Sequence, residues 1–264
     1  MVMLGFSSLA MSCSESGESV DAGASNTQAR AILDSVLTAA GGPDGLAHVR
    51  TLVVQYVHTR FPTPRGSESP ETPRSIDVVQ ARDFENGRQF YERRATGENG
   101  AWERVVVVPG AAFRIDLRTN ETTIFTPDAA STALYSGLEL RWYVYSTLEE
   151  ARYSASSLAQ RPDTTIEGRT FQVLSFHGTG TETNELWVDA ETKRIVRRRL
   201  ESFDPVAGEA STTLEYLDYE SVDGLPVPMT VDVFLDDNLF ERFELLEVLI
   251  NAELQDSAFD HPQG

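Results

Sequence analysis

The chain has 264 residues, 41 acidic against 22 basic, and a formal charge of −19. That balance argues against a nucleic-acid binder, which needs a basic stripe to neutralise phosphates; the run Arg197, Arg198, Arg199 is the longest here. It argues equally against attachment to a membrane surface through basic residues. With 41% apolar and 9% aromatic residues, the chain should bury roughly three quarters of its unfolded surface, so a real core is expected rather than disorder.

Residues 1–12 are apolar and end directly before Cys13, after which the composition turns to Ser, Glu, Gly and Asp. Ala10 and Ser12 stand third and first before the cysteine, as small residues do at an export-signal cut. Leu9-Ala10-Met11-Ser12-Cys13 resembles a bacterial lipobox, with Ala where Leu is usual. No basic residue precedes the apolar run, which is what a start codon placed too far downstream would leave. The expectation is a signal peptide over 1–12, a lipid on Cys13, a flexible linker over 13–27 and a single domain over 28–264. One cysteine allows no internal disulfide. No other stretch reaches the roughly 18 apolar residues of a spanning helix. The expected location is the cell envelope, as an outer-membrane-anchored lipoprotein facing the periplasm, with a free periplasmic protein as the alternative.

From Asn26 to Ala40 the apolar residues Ala29, Ile32, Leu33, Val36 and Leu37 recur at helical spacing, and Gly41-Gly42 closes the segment. Strands are then predicted at 51–60, 75–82, 88–94, 102–108, 113–118 and 122–126, separated by turn pairs such as Asn86-Gly87 and Pro109-Gly110. Between 127 and 160 alternation stops, and Leu138, Trp142, Tyr145 and Leu148 fall three or four apart, a helical insertion. Strands resume at 170–177, 185–188, 194–203, 212–219, 227–235 and 239–250. Such short connections require antiparallel neighbours. The predicted fold class is mainly β (α+β): a single strongly curved antiparallel sheet of about 10–12 strands, forming an unclosed half-barrel with a helical plug or lid.

Phe113, Ile115 and Leu117 alternate with Arg114, Asp116 and Arg118; Met229, Val231 and Val233 alternate with Thr230 and Asp232. One face of the sheet should be apolar and the other wet. Helices must then fill the apolar face, and any volume they leave is an apolar pocket. Leu138, Trp142 and Tyr145 share one helical stripe and are expected to face Phe113, Ile115 or Val233 across it; ordinary core is the alternative for such a stripe.

The order of opening helix, Gly-Gly, "Leu-Ala-His-Val-Arg-Thr-Leu", strands, helical insertion, "Leu-Trp-Val-Asp-Ala-Glu-Thr-Lys-Arg-Ile-Val" at 186–196 and "Tyr-Glu-Ser-Val-Asp-Gly-Leu-Pro-Val-Pro" at 219–228 resembles the outer-membrane lipoprotein-sorting (LolA/LolB-like) superfamily over nearly all of 28–262. The resemblance implies an unclosed antiparallel barrel with a helical lid and an interior that accepts acyl chains. It also implies an early-strand arginine holding the lid in members near the lipoprotein carrier. Arg60 lies on such a strand, but no local motif aligns it and the role is not carried over. The carrier is free in the periplasm whereas the receptor branch is lipidated, so a lipidated Cys13 would place the chain nearer the receptors.

The chain has no Gly-x-Ser-x-Gly, His-Glu-x-x-His, Gly-x-x-x-x-Gly-Lys or Cys-x-x-Cys. His58 and His177 lie on predicted strands, and Asp232, Asp236, Asp237 and Glu241 flank one hairpin; packing and a solvated turn are preferred to a metal site for both groups. No catalytic residue, metal or cofactor is expected. The leading function is a non-catalytic envelope lipoprotein binding a lipid acyl chain or similar apolar ligand, in lipoprotein or lipid trafficking. The alternative is a structural or interaction module with a filled core, docking to other envelope proteins.

Overall fold

A computed structural model describes residues 22–42, 45, 48–62, 70–95, 102–125, 144–178, 183–204 and 208–260. Helix α1 (Ala22–Ala39) buries Ala29, Ile32, Leu33 and Val36, the stripe set by their spacing. Gly41 terminates it: φ is +105°, and a Cβ there would stand 2.2 Å from Leu225 Cδ2, so glycine alone lets the helix end close down on the facing strand.

Thirteen strands follow: β1 (Thr51–Arg60), β2 (Arg74–Asp83), β3 (Arg88–Ala95), β4 (Trp102–Val108), β5 (Ala111–Asp116), β6 (Thr122–Ile124), β7 (Ala159–Ile166), β8 (Arg169–His177), β9 (Thr183–Asp189), β10 (Ile195–Asp204), β11 (Gly208–Val222), β12 (Leu225–Leu235) and β13 (Asn238–Ile250). Helix α2 (Val144–Tyr153) lies between β6 and β7, and a 3₁₀ turn at Asp256–Ala258 follows β13. All pair antiparallel in one sheet ordered β6-β5-β4-β3-β2-β1-β13-β12-β11-β10-β9-β8-β7. Both ends of that order are free edges, so the barrel is unclosed, as expected. Tight hairpins fix the register of the meander. Asp223-Gly224 and Asp236-Asp237 both have positive φ, as a two-residue turn matched to strand twist requires.

Strand β7 overlaps the expected insertion only at residues 159–160 and otherwise runs through 161–166, where no strand was expected, and it raises the strand count above the expected range. Its residues are mostly exposed and Pro162 interrupts the ladder at a register shift between Arg161 and Thr164. An edge strand tolerates proline and needs no apolar alternation, so the signal used to find strands is missing there.

The apolar side of the sheet also changes from one half to the other. Directly paired residues share a face, and neighbours along a strand alternate. Over β10–β13 the face towards the helices is apolar, with Leu214, Tyr216, Val231 and Val233 in one core with Val36 of α1 and Leu148 of α2. The other face carries ion pairs such as Arg197 with Glu215 and Arg242 with Asp232. In β2–β5 the order reverses. Ala81, Phe90, Val106, Phe113 and Ile115 form a second core with Phe259, on the face away from the helices. The carboxyl-terminal segment covers it: the Phe259 ring lies 5.7 Å from Phe90, and Arg88 stands over Phe259 while pairing with Asp256 and Asp83. The expectation of one apolar and one wet face therefore holds for β10–β13 and is corrected for β2–β5.

Candidate functional site

Two regions of the inner face, the face towards the helices, could hold a ligand. The first lies under α1 and α2. Val144, Leu148 and Ala151 repeat at helical spacing and pack with α1 on β8–β13. The space they leave beside Val36, Ala40, Tyr145 and Ile195 is about 10 Å³, room for at most one water. Among the described residues, helices and sheet are closely packed here.

A polar tie fastens α2 to the sheet through that core. Arg198, only 5% exposed, donates to Asn184 Oδ1 at 2.9 and 2.6 Å, to Thr147 Oγ1 at 3.0 Å and to Glu150 Oε2 at 2.5 Å. Thr147 Oγ1 and Tyr216 Oη share a hydrogen bond at 3.2 Å. Burial pushes the Tyr216 phenol up, so it stays neutral. Of the three consecutive arginines, register sends Arg197 and Arg199 outward and Arg198 in among the helix residues. Arg60, the early-strand candidate, lies instead against Glu241 and over the Phe240 ring.

The second region is the inner wall of β1–β5. Register places Tyr56, Gln80, Arg82, Gln89, Tyr91, Arg93, Glu103, Val105, Val107, Ala112 and Arg114 on it. Arg93 Nε lies 2.8 Å from Glu103 Oε1. His58 stacks flat on Phe243 with ring centroids 4.6 Å apart, and its Nε2 is 3.4 Å from Glu241. Burial raises both phenols; for Tyr56 the neighbouring Tyr91 and Glu241 add to the rise, while for Tyr91 the nearby Arg93 works against it. Val107 and Ala112 form a small apolar cluster with Tyr91, Val105 and Phe125 beside these polar groups. A wall of this kind offers both apolar contact and neutral hydrogen-bonding groups.

Of the residues singled out by sequence, Tyr145 and Val233 belong to the filled helix-side core, where the Tyr145 hydroxyl donates to the Pro226 carbonyl at 2.9 Å. Phe113 and Ile115 do not share that space. Their register through Val106 and Phe90 to Ala81 puts them on the opposite face, against Phe259. Leu138, Trp142 and Cys13 lie outside the described residues. Arg198 was missed as an inward residue, although Thr147 and Glu150, polar and three apart on an apolar helix face, called for a buried partner. Gln80 and Gln89 were missed because a polar residue in a strand reads as solvent-facing.

Asp232 and Asp236, from the acidic hairpin, serve Arg242 and the Ser211 backbone amide. His58 and His177 sit on strands separated by the whole of β9–β13. Among the described residues no group of three His, Cys, Asp or Glu side chains could hold a metal ion.

No protein-family model matches the chain, and no curated protein sequence matches it. Solved structures do. One described as an outer membrane lipoprotein-sorting protein domain from Vibrio parahaemolyticus aligns at TM-score 0.54 and 11% identity, over 89% of this chain and 97% of that one. A DUF1329 family protein from Desulfovibrio piger aligns at TM-score 0.54 and 13% identity, over 91% and 97%. A LolA superfamily protein from Nitrosomonas europaea gives TM-score 0.47 at 14% identity, over 86% and 96%, too distant to add weight. Over nearly its whole length, this chain shares the fold of outer-membrane lipoprotein-sorting domain structures, at identities that speak to the fold alone.

Proposed function

We propose that the chain is a non-catalytic bacterial envelope lipoprotein, anchored through Cys13, that holds an acyl chain or similar apolar ligand on the inner face of its half-barrel. Lipoprotein or lipid trafficking is the process this fits. The carrying observation is the division of the inner face: the helices fill it over β8–β13, while the core beneath them takes only Val78, Ile76 and Tyr91 from β2–β6. The inner wall around Val105, Val107 and Ala112 therefore belongs to a separate apolar strip, and it replaces the helix-side pocket as the seat of the ligand. Leu138 and Trp142 are carried in this proposal as lining residues on their spacing with Tyr145.

Native mass spectrometry of protein extracted from its own membranes tests both parts at once. A covalent acyl mass on Cys13 together with a separable lipid is the expected spectrum. An unmodified Cys13 would remove the anchor. Failure to retain any lipid, together with failure to bind a fluorescent fatty acid, would remove the ligand. The filled-core interaction module would then take its place, a reading that the 10 Å³ space under the helices already favours for that half of the molecule.

A further inference from the structure

The inner wall of β1–β4 carries more than apolar surface, and this bears on what sort of ligand it takes. Buried polar side chains in a folded protein are almost always hydrogen-bonded, and an exception asks for an explanation. Four buried charged side chains obey the rule. Asp83 accepts from Asn86 and Arg88, Glu92 from Arg94 and Arg104, Asp232 from Arg242, and Arg198 has the partners given above. Gln89 does not: it is 8% exposed, and among the described residues its Oε1 accepts from no group.

Gln89 lies on the inner face opposite Val107 and Arg82, two residues along β3 from Tyr91, which is itself opposite the buried Gln80. Two amides and a neutral phenol are thus gathered beside the apolar strip of Val105, Val107 and Ala112. Amides and phenols bind neutral donors and acceptors and offer little to a full charge. An unfilled acceptor in such surroundings calls for a donor from a ligand, a hydroxyl above all.

Resting on the ligand-binding reading above, we infer that the inner wall at Gln80, Gln89 and Tyr91 receives the neutral, hydroxyl-bearing head of an amphiphile whose chain lies along Val105, Val107 and Ala112. The preferred class is an uncharged acylated polyol, such as a monoacylglycerol, over a free fatty acid. A carboxylate would have to lose its water among amides, and the cation opposite Gln89, Arg82, has its guanidinium over the Phe84 ring at 4.8 Å.

The test compares 1-monooleoylglycerol with oleate for the full chain, by displacement of a fluorescent fatty acid. The wild type should bind the monoacylglycerol at least tenfold more tightly. Gln89→Met keeps the side-chain length and removes the acceptor, and should cut that preference to within about twofold. Its ligand-free melting temperature should not fall, because the variant removes a buried acceptor that no protein group satisfies. Tyr91→Phe, which keeps the ring, should lower the same preference and provides a second reading if Gln89→Met fails to fold. Equal affinity of the wild type for the two ligands, or a preference that survives both substitutions, overturns the inference while leaving acyl binding intact. Binding of neither ligand overturns both.

Discussion

The two halves of the sheet use the same strand chemistry to opposite ends. Over β8–β13 apolar residues face the helices, and α1 and α2 pack on them, leaving about 10 Å³ beside Val36, Tyr145 and Ile195. Over β2–β5 most large apolar residues face away, the carboxyl-terminal segment covers them, and the face towards the barrel interior mixes Val105, Val107 and Ala112 with amides, phenols, Arg82, Arg114 and the Arg93–Glu103 pair. One sheet therefore has two cores on its two sides, and the crossover falls at β1 and β2: Val54 and Val78 belong to one core, Val53 and Ala81 to the other. A sheet built this way packs its two halves separately, and on the function proposed above the ligand lies on the second inner wall, where Gln89, Val107 and Ala112 are buried. Stability and binding should consequently be separable by substitution, and three substitutions test this in descending order of effect.

Arg198 should matter most to stability. Truncating it leaves Asn184 unpartnered within the core and Glu150 without its cation. Breaking a buried pair costs about 3–5 kcal/mol, and the partial exposure of Glu150 puts the expected loss near the lower end. For Arg198→Met, thermal melting should drop accordingly, and amide exchange should rise first across residues 144–153. A melting temperature within a degree of wild type would mean that α2 is held by apolar packing alone, and the contrast between the two halves would lose its basis.

Asp189 gives an intermediate effect with a pH signature. Its Oδ1 accepts from the Glu191 and Thr192 amides and the Thr192 hydroxyl, and its Oδ2 from Arg169, closing the β9–β10 turn. Burial alone would raise its pKa, but these hydrogen bonds outweigh it and hold the carboxyl below the ordinary 3.8. A depressed folded value contributes stability above the unfolded pKa, and that contribution is lost as pH falls through the folded one. Arg169 is largely exposed, so most of the effect rests with the backbone amides. Asp189→Asn should cost about 1–2 kcal/mol at neutral pH, and its melting temperature should fall less steeply than wild type on acidification. Parallel acid limbs for the two proteins would refute the assignment.

The opening helix and most strands were legible because apolar spacing records burial directly: α1 through Ala29, Ile32, Leu33 and Val36, and β12 through Val227, Val231 and Val233. Which face an alternating strand turns inward was not legible. A period of two is symmetric between the faces, so Phe113 and Ile115 fit the interior as well as the exterior until the carboxyl-terminal Phe259 was seen to need a partner. Polar residues at inward positions, such as Gln89 and Arg198, are hidden for the same reason, since their burial comes from register many strands away.

Tyr145 brings the smallest change and the sharpest choice between plug and wall. Its spacing with Leu138 and Trp142 marks it for a ligand wall, yet its hydroxyl is tied to the Pro226 carbonyl at 2.9 Å, and burial alone drives its pKa upward. A side chain fixed to the backbone in this way acts as part of a plug. Tyr145→Phe keeps the ring and removes the tie, at an expected cost of about 1 kcal/mol. If α2 is a fixed plug, melting falls slightly and affinity for a fluorescent fatty acid does not change, because the ligand lies on the other half of the inner face. If α2 is instead a lid that must move to admit the ligand, loosening its tie to β12 should speed entry of the probe. A rise in association rate above about threefold in stopped flow would therefore assign the helix to the gate and return the ligand to the space beneath it.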